Sequence, residues 1–169
     1  GGDWALDRIV PDCTRAWLER KPAVIRNPNS TRPWQHVLEP LSGYLALGQK
    51  LFQGDARVKN QAFNFGPQAQ GNQSVSELIT AMTRFWSNAE SNFQQETSSK
   101  KPESTLLKLN CDKALQILGW EAVLNFEETV RMTGEWYQKF YKHGPSSISK
   151  ITSGQIKKYF KKVKKAKKY

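Results

Sequence analysis

Long apolar runs, paired cysteines and histidine clusters are all missing from this chain, and each absence removes a class of function. No apolar stretch approaches the roughly 18 residues needed to cross a bilayer. No charged-then-apolar start resembles a secretion signal, so the chain reads as soluble and cytoplasmic. Cys13 and Cys111 lack the spacing of a zinc site or a redox pair and read as buried free thiols. His36 and His143 form no catalytic set with them. Acid is absent from one region. Residues 150–169 hold nine lysines and no Asp or Glu, so nearly all of the net charge of +11 sits in a tail rather than on a nucleic-acid-binding face.

What is present fits one globular unit. The 169 residues, 38% hydrophobic and 11% aromatic, can bury a single core. In "RIVPDCTRAWLER", Ile9, Cys13, Ala16 and Trp17 recur at helical spacing, with Pro11 tolerable in a first turn. "AVIR" is a short β-branched strand, and "NPNST" is a turn before the extended piece "PWQHV". Glu39 and Pro40 signal the start of the helix "PLSGYLALGQKLF". "QAFNF" reads as a strand stopped by Gly66 and Pro67. Ser74 and Glu77 have capping-box spacing ahead of "ELITAMTRFW", as do Asn125 and Glu128 ahead of "FEETVRMTGEWYQKFYK". The polar stretch "SNAESNFQQETSSKKPES" is a long connection with a short strand at "NFQQE". "LLKLN" is extended, and "KALQILG" is a helix ended by Gly119. The pattern is α/β with too few strands for a full sheet, from which partner strands outside the chain are expected.

Motifs for autonomous catalysis do not appear. The tyrosine followed four residues on by lysine, an acid/base pair of short-chain dehydrogenases, does not occur at Tyr44, Tyr137, Tyr141, Tyr159 or Tyr169. "GPQAQG", Gly66 to Gly71, has the glycine spacing of a phosphate loop, but Asn72 and Gln73 stand where lysine and a hydroxyl residue belong, and the stretch reads as a turn. The adjacent Glu127 and Glu128 complement a helix dipole. Arginines offer more. Arg8 follows a turn, Arg26 ends a strand and Arg32 follows a loop, so the three can converge on one cleft. Their planar forks grip phosphate oxygens in pairs, which points to a diphosphate ligand. The alternative is that each pairs with a nearby acid such as Asp3, Asp7 or Glu39.

The stretches "GGDWALDRIVPD", "IRNPNSTRPWQHVLEPLSGYLAL", "FNFGP", "LKLNCDKALQILGW" and "EWYQKFY" resemble, in order, the C-terminal half of the CDP-glucose 4,6-dehydratases, a family of extended short-chain dehydrogenase/reductases. The resemblance runs to about Tyr159. It implies an α/β fold that is the C-terminal substrate-binding part of a Rossmann-type enzyme, with NAD held by an N-terminal portion that precedes Gly1. "GGDW" is no initiator sequence, and the natural chain is accordingly expected to begin further upstream. In such enzymes the dinucleotide loop, the Tyr/Lys pair and the acidic dehydration residues lie in that portion. The chain alone is then expected to be inactive.

On this resemblance residues 1–149 hold the nucleotide sugar and 150–169 form a lysine-rich tail. The family oxidises sugar carbon 4 with NAD, eliminates water across carbons 5 and 6, and returns the hydride to carbon 6. CDP-glucose becomes CDP-4-keto-6-deoxyglucose, a precursor of deoxysugars in bacterial surface polysaccharide such as lipopolysaccharide O-antigen. The resemblance matches Arg8 and Arg32 to diphosphate and nucleotide contacts, with Arg26, Trp4 and Trp34 around the nucleotide pocket. It makes His36 a packing residue, Glu39 a helix cap, and the full-length enzyme a homodimer. One departure is that Pro102, Glu103 and Ser104 replace the family's histidine-containing triplet before "LKLN". Two other readings stay open: a fragment of a different nucleotide-sugar dehydratase or epimerase, and a non-enzymatic nucleotide-sugar-binding module. In the tail, Ile156, Tyr159 or Phe160, Val163 and Ala166 share a face, the pattern of a basic amphipathic helix able to meet anionic lipid or nucleic acid. A solvated, frayed end is the expected form, with no nucleic-acid partner.

Overall fold

The computed structural model describes residues 2–68, 72–86, 93–95 and 106–166. Helix α1 (Ile9–Leu18) keeps Pro11 in its first turn, where the missing N–H breaks no helical hydrogen bond. It ends as Arg20 takes a left-handed φ of 57°. Lys21 then donates its N–H to the Ala16 carbonyl at 2.8 Å, reversing the chain. Strand β1 (Ala23–Ile25) follows, with Ala23 and Ile25 inward and Val24 outward. It pairs in parallel with β4 (Phe93–Gln95), Ala23 opposite Phe93.

Strand β2 (Thr31–Pro33) pairs antiparallel with β3 (Asn72–Ser74), Arg32 opposite Gln73. Between them lies α2 (Leu38–Phe52), and α3 (Val75–Thr83) follows β3 directly. The expected capping box is present, with Ser74 Oγ accepting from Glu77 N–H at 3.1 Å and the Glu77 carboxylate accepting from Ser74 N–H at 2.7 Å. Ser74→Ala should therefore lower stability by about 1 kcal/mol in urea unfolding. A π-helical turn, Ala114–Leu118, stops at Gly119, whose φ of 61° suits a residue without a Cβ. Helix α4 (Phe126–His143) begins with the second expected box, Asn125 with Glu128. A 3₁₀ turn, Pro145–Ser147, leads into α5 (Ile148–Ala166).

Two expectations change. "QAFNF" is not a strand: residues 61–65 pair with no neighbour among the described residues. Phe65 instead buries its ring beside Trp120, 4.9 Å between centroids, in a cluster with Val58, Ala114, Leu118 and Ala122. Residues 150–166 are not a frayed tail. They are helical, and Tyr159 is only 2% exposed among Leu124 and Met132. The main core gathers Cys13 and Trp17 of α1, Ile25 of β1, Leu78, Ile79 and Met82 of α3 and Val130 of α4. Burial pushes the Cys13 thiol up to about 12, so it is an inert core residue. Cys111 is also a free thiol but only half-buried. The Pro102 to Ser104 departure, residues 69–71 of the glycine-spaced stretch and most of the polar connection lie outside the described residues.

Candidate functional site

The reversal at Arg20 lays α1 across β1, and the groove between them continues to the start of β2. The resulting cleft, of about 740 Å³, is lined by Arg8 and Arg15 of the α1 region, Arg26 beyond β1, and Arg32 and Trp34 at β2, with Ile9, Ile25 and Val75 as apolar wall. Four of the five residues expected to bind substrate therefore share one cavity. Arg26 lies 3.8 Å from Asp7, a loose pair between two exposed groups that is worth little in water. Arg32 donates to the Thr31 carbonyl at 2.9 Å. Trp34 is oriented by its indole N–H, which donates to the Gln73 carbonyl at 2.8 Å across the β2–β3 pair. The Arg8 side chain makes no hydrogen bond or ion pair with any described residue.

Trp4 is placed elsewhere. Its ring lies against Phe140 at 4.6 Å and Tyr137 at 5.6 Å between centroids, on α4. The segment is pinned there because the Tyr137 hydroxyl accepts from Asp3 N–H at 2.8 Å and donates to the Asp3 carbonyl at 2.9 Å. Asp3 and Trp4 thus form a clasp on α4. Arg15, inside α1, joins Arg8, the extended residue just before the helix, in lining the cleft, and no motif in the sequence marks it. It is already engaged, pairing with Asp12 and donating to the Trp4 and Ala5 carbonyls at 3.2 Å each. The cleft's charged lining is five cations against three acids, a net positive field suited to a diphosphate. No histidine, tyrosine or cysteine is among its lining residues, and its titratable groups are arginines, one lysine and the carboxylates of Asp7, Asp12 and Glu19.

The "RPWQHVLEPL" stretch divides behind this cleft. His36 is buried, and burial pushes its imidazole down to about 4, which keeps it neutral at pH 7. Its Nδ1 accepts from Leu38 N–H at 3.3 Å at the start of α2, a packing and hydrogen-bonding role. Glu39 is not a helix cap. Only 1% exposed, it accepts from Val123 N–H at 2.9 Å and Leu124 N–H at 2.7 Å through Oε1, and from the Tyr159 hydroxyl at 2.7 Å through Oε2. Ser42 Oγ lies 2.8 Å from the same hydroxyl and accepts from the Trp120 indole N–H at 2.8 Å. This network locks α5 to α2. On the other side of Arg8 and Ile9 lies an apolar cavity of about 530 Å³, lined by His36, Val37, Leu41, Trp136 and Ile156 among others.

The described residues do not fit NAD. The parallel β1–β4 pair is the place where a dinucleotide fold would be sought, yet β1 runs into the Asn27–Ser30 turn and then β2, with no glycine-rich turn opening a helix. Among the same residues no group of three or more His, Cys, Asp or Glu side chains is placed to hold a metal ion. No described helix is long and apolar enough to cross a membrane.

The fold has the α/β, mostly helical make-up of the part of nucleotide-sugar-modifying short-chain dehydrogenase/reductases that lies outside their Rossmann sheet. No protein-family model matches the chain. It is 37% identical over 138 residues to the CDP-glucose 4,6-dehydratase of Salmonella typhimurium, covering 82% of this chain and 38% of that protein. An epimerase from Methanothermobacter thermautotrophicus superposes with a TM-score of 0.69 at 19% identity, covering 85% of this chain and 40% of the other. The UDP-glucuronic acid 4-epimerase of Bacillus cereus, solved with UDP-glucuronic acid and NAD, gives 0.64 at 17% identity and 80% and 41% coverage. The dTDP-glucose 4,6-dehydratase of Bacillus anthracis, solved with NAD, gives 0.63 at 18% identity and 80% and 40% coverage. The chain spans about two fifths of the length of these relatives. It is a member of the extended short-chain dehydrogenase/reductase superfamily of nucleotide-sugar epimerases and dehydratases and represents a C-terminal-like portion of such proteins.

Proposed function

We propose that the chain is the substrate-holding part of an NAD-dependent nucleotide-sugar dehydratase or epimerase, and that the α1–β1–β2 cleft receives the nucleotide diphosphate. The convergence of Arg8, Arg26 and Arg32 on one cavity carries this reading. Two phosphates bring closely spaced negative charge that the guanidinium forks match, and the Trp34 face beside them offers a stacking surface for a base. In the longer protein NAD is held by residues outside 1–169, and the assembled enzyme is a homodimer. The finer assignment is CDP-glucose, converted to CDP-4-keto-6-deoxyglucose. Its support is the "GGDW" and "RPWQHVLEPLSGY" motifs and the identity to the Salmonella dehydratase. The structural likeness to a UDP-glucuronic acid 4-epimerase and a dTDP-glucose 4,6-dehydratase supports the broader class.

Isothermal titration of the chain with CDP-, dTDP- and UDP-glucose and UDP-glucuronic acid tests both levels. The class predicts saturable binding that weakens about tenfold or more in Arg8→Ala and again in Arg32→Ala, each removing a charge-assisted contact. The finer assignment predicts CDP-glucose as the tightest of the four. Binding unaffected by both substitutions would remove the cleft from the proposal, and a preference for another base would replace CDP-glucose while leaving the class intact.

A further inference from the structure

Because Tyr159 and Gln155 seat α5 on the body of the protein, the direction of its opposite face is fixed. Tyr159 reaches Glu39 at 2.7 Å, and Gln155 Nε2 donates to the Met132 carbonyl at 2.7 Å. At about 100° per residue, Lys157, Lys158, Lys161, Lys164, Lys165 and Phe160 all fall within an arc of about 160° on the far side. The five lysines are exposed and make no ion pair with any described residue, while Lys162, on the flank, pairs with Glu128. No acid lies anywhere between residues 150 and 169. Along one edge of this basic face runs an apolar shoulder of Ile156, Phe160 and Val163. Phe160 is 45% exposed, and Ile156 lines the apolar cavity whose residues Val37 and Leu41 are also each 45% exposed.

We infer that the outer face of α5 is a docking surface for an anionic phospholipid membrane. A row of lysines about 12 Å long on a rigid helix lays its charges in one plane, as a lipid headgroup layer does. The neighbouring Phe160 shoulder distinguishes this surface from one built for nucleic acid. An aromatic side chain at the edge of a lysine row gains by entering the headgroup–acyl boundary, whereas duplex phosphates offer it nothing to bury against. The face most buried in the protein is the one a free amphipathic helix would insert. Binding is therefore peripheral, reversible and salt-sensitive, and requires no unfolding of α5. It does not depend on the nucleotide-sugar reading.

Flotation of the whole chain with vesicles tests the inference. The chain should float with phosphatidylcholine vesicles carrying about 30% phosphatidylserine at about 0.1 M salt, not with pure phosphatidylcholine, and should be released as salt rises. Replacing Lys157, Lys161 and Lys164 together by glutamine should weaken retention roughly a hundredfold, about fivefold per lysine. Phe160→Ala should weaken it about tenfold. Both variants alter exposed side chains, and unchanged circular dichroism would show α5 intact. The unaltered chain tests the idea without any variant, because failure to float with the anionic vesicles overturns it. Equal retention of the triple variant overturns it as well. Tighter retention on duplex DNA than on the anionic vesicles, indifferent to Phe160→Ala, would identify the surface as a nucleic-acid contact instead.

Discussion

Glu39→Ala should lower the unfolding free energy by about 3–5 kcal/mol, because it leaves three buried donors without their acceptor at roughly 1–3 kcal/mol each. The substitution strands the Val123 and Leu124 N–H groups and the Tyr159 hydroxyl at once, in a site closed to water. Urea unfolding measures the loss. Glu39→Gln separates hydrogen bonding from charge, because its carbonyl still accepts from both N–H groups while its amide faces a hydroxyl that can turn to accept.

The two variants also differ in pH dependence. Burial raises the Glu39 carboxyl above its ordinary 4.5, so the folded state favours the protonated form. Its contribution to stability is complete below 4.5 and is lost as pH rises through the raised value. His36 acts in the opposite sense. Its contribution is complete above 6.5 and is lost as pH falls toward about 4. Glu39→Gln should therefore gain on the unaltered protein as pH rises from 4.5, with the His36 slope left in place. Parallel stability–pH curves for the two proteins would contradict a carboxyl whose charged form burial disfavours at this position.

The second large effect lies beneath the cleft. Trp17 is 2% exposed and packs on Trp86 at 5.3 Å between centroids, yet its indole Nε1 has no hydrogen-bond partner among the described residues. Everything it contributes is packing. Trp17→Ala should cost about 3–5 kcal/mol through lost burial and a residual cavity. Trp17→Phe should cost far less, about 1 kcal/mol, because it removes an unsatisfied polar atom along with some volume. Nucleotide-sugar titration adds a functional readout. Trp17 supports α1 against β1, the two walls that carry Arg8 and lead to Arg26, so the alanine variant should bind more weakly even where it remains folded. Equal cost for alanine and phenylalanine would show that the indole bonds to something outside the described atoms.

Local rules made much of this architecture legible in the sequence. Ser74 with Glu77 and Asn125 with Glu128 start helices where the spacing predicts, and Gly119 stops a helical turn by its left-handed backbone. Arg8, Arg26 and Arg32 converge because each flanks a predicted element, and the order helix, strand, turn, strand leaves them few other arrangements. What local rules miss is long-range. Residues 61–65 carry a strand composition, but a strand exists only with a partner ladder, and Phe65 finds a better use against Trp120. The last helix reads as a solvated end from sequence because nothing in a run of lysines discloses that Tyr159 meets a carboxylate 120 residues earlier. Trp4 lies on α4 and not in the cleft for the same kind of reason. An aromatic next to a turn is equally suited to a ligand pocket or to a neighbouring helix, and Tyr137, 134 residues from Asp3, decides between them.

The clasp on α4 has an optical consequence. Trp4, Trp136, Tyr137, Phe140 and Tyr141 hold their rings 4.6 to 6.5 Å apart at fixed angles, and Trp136 is parallel to Phe140 within 5°. Chromophores at such separations exchange excitation, so the cluster gives the protein its own near-ultraviolet signature for the state of its first residues. That signature rises and falls with the grip of Tyr137 on Asp3.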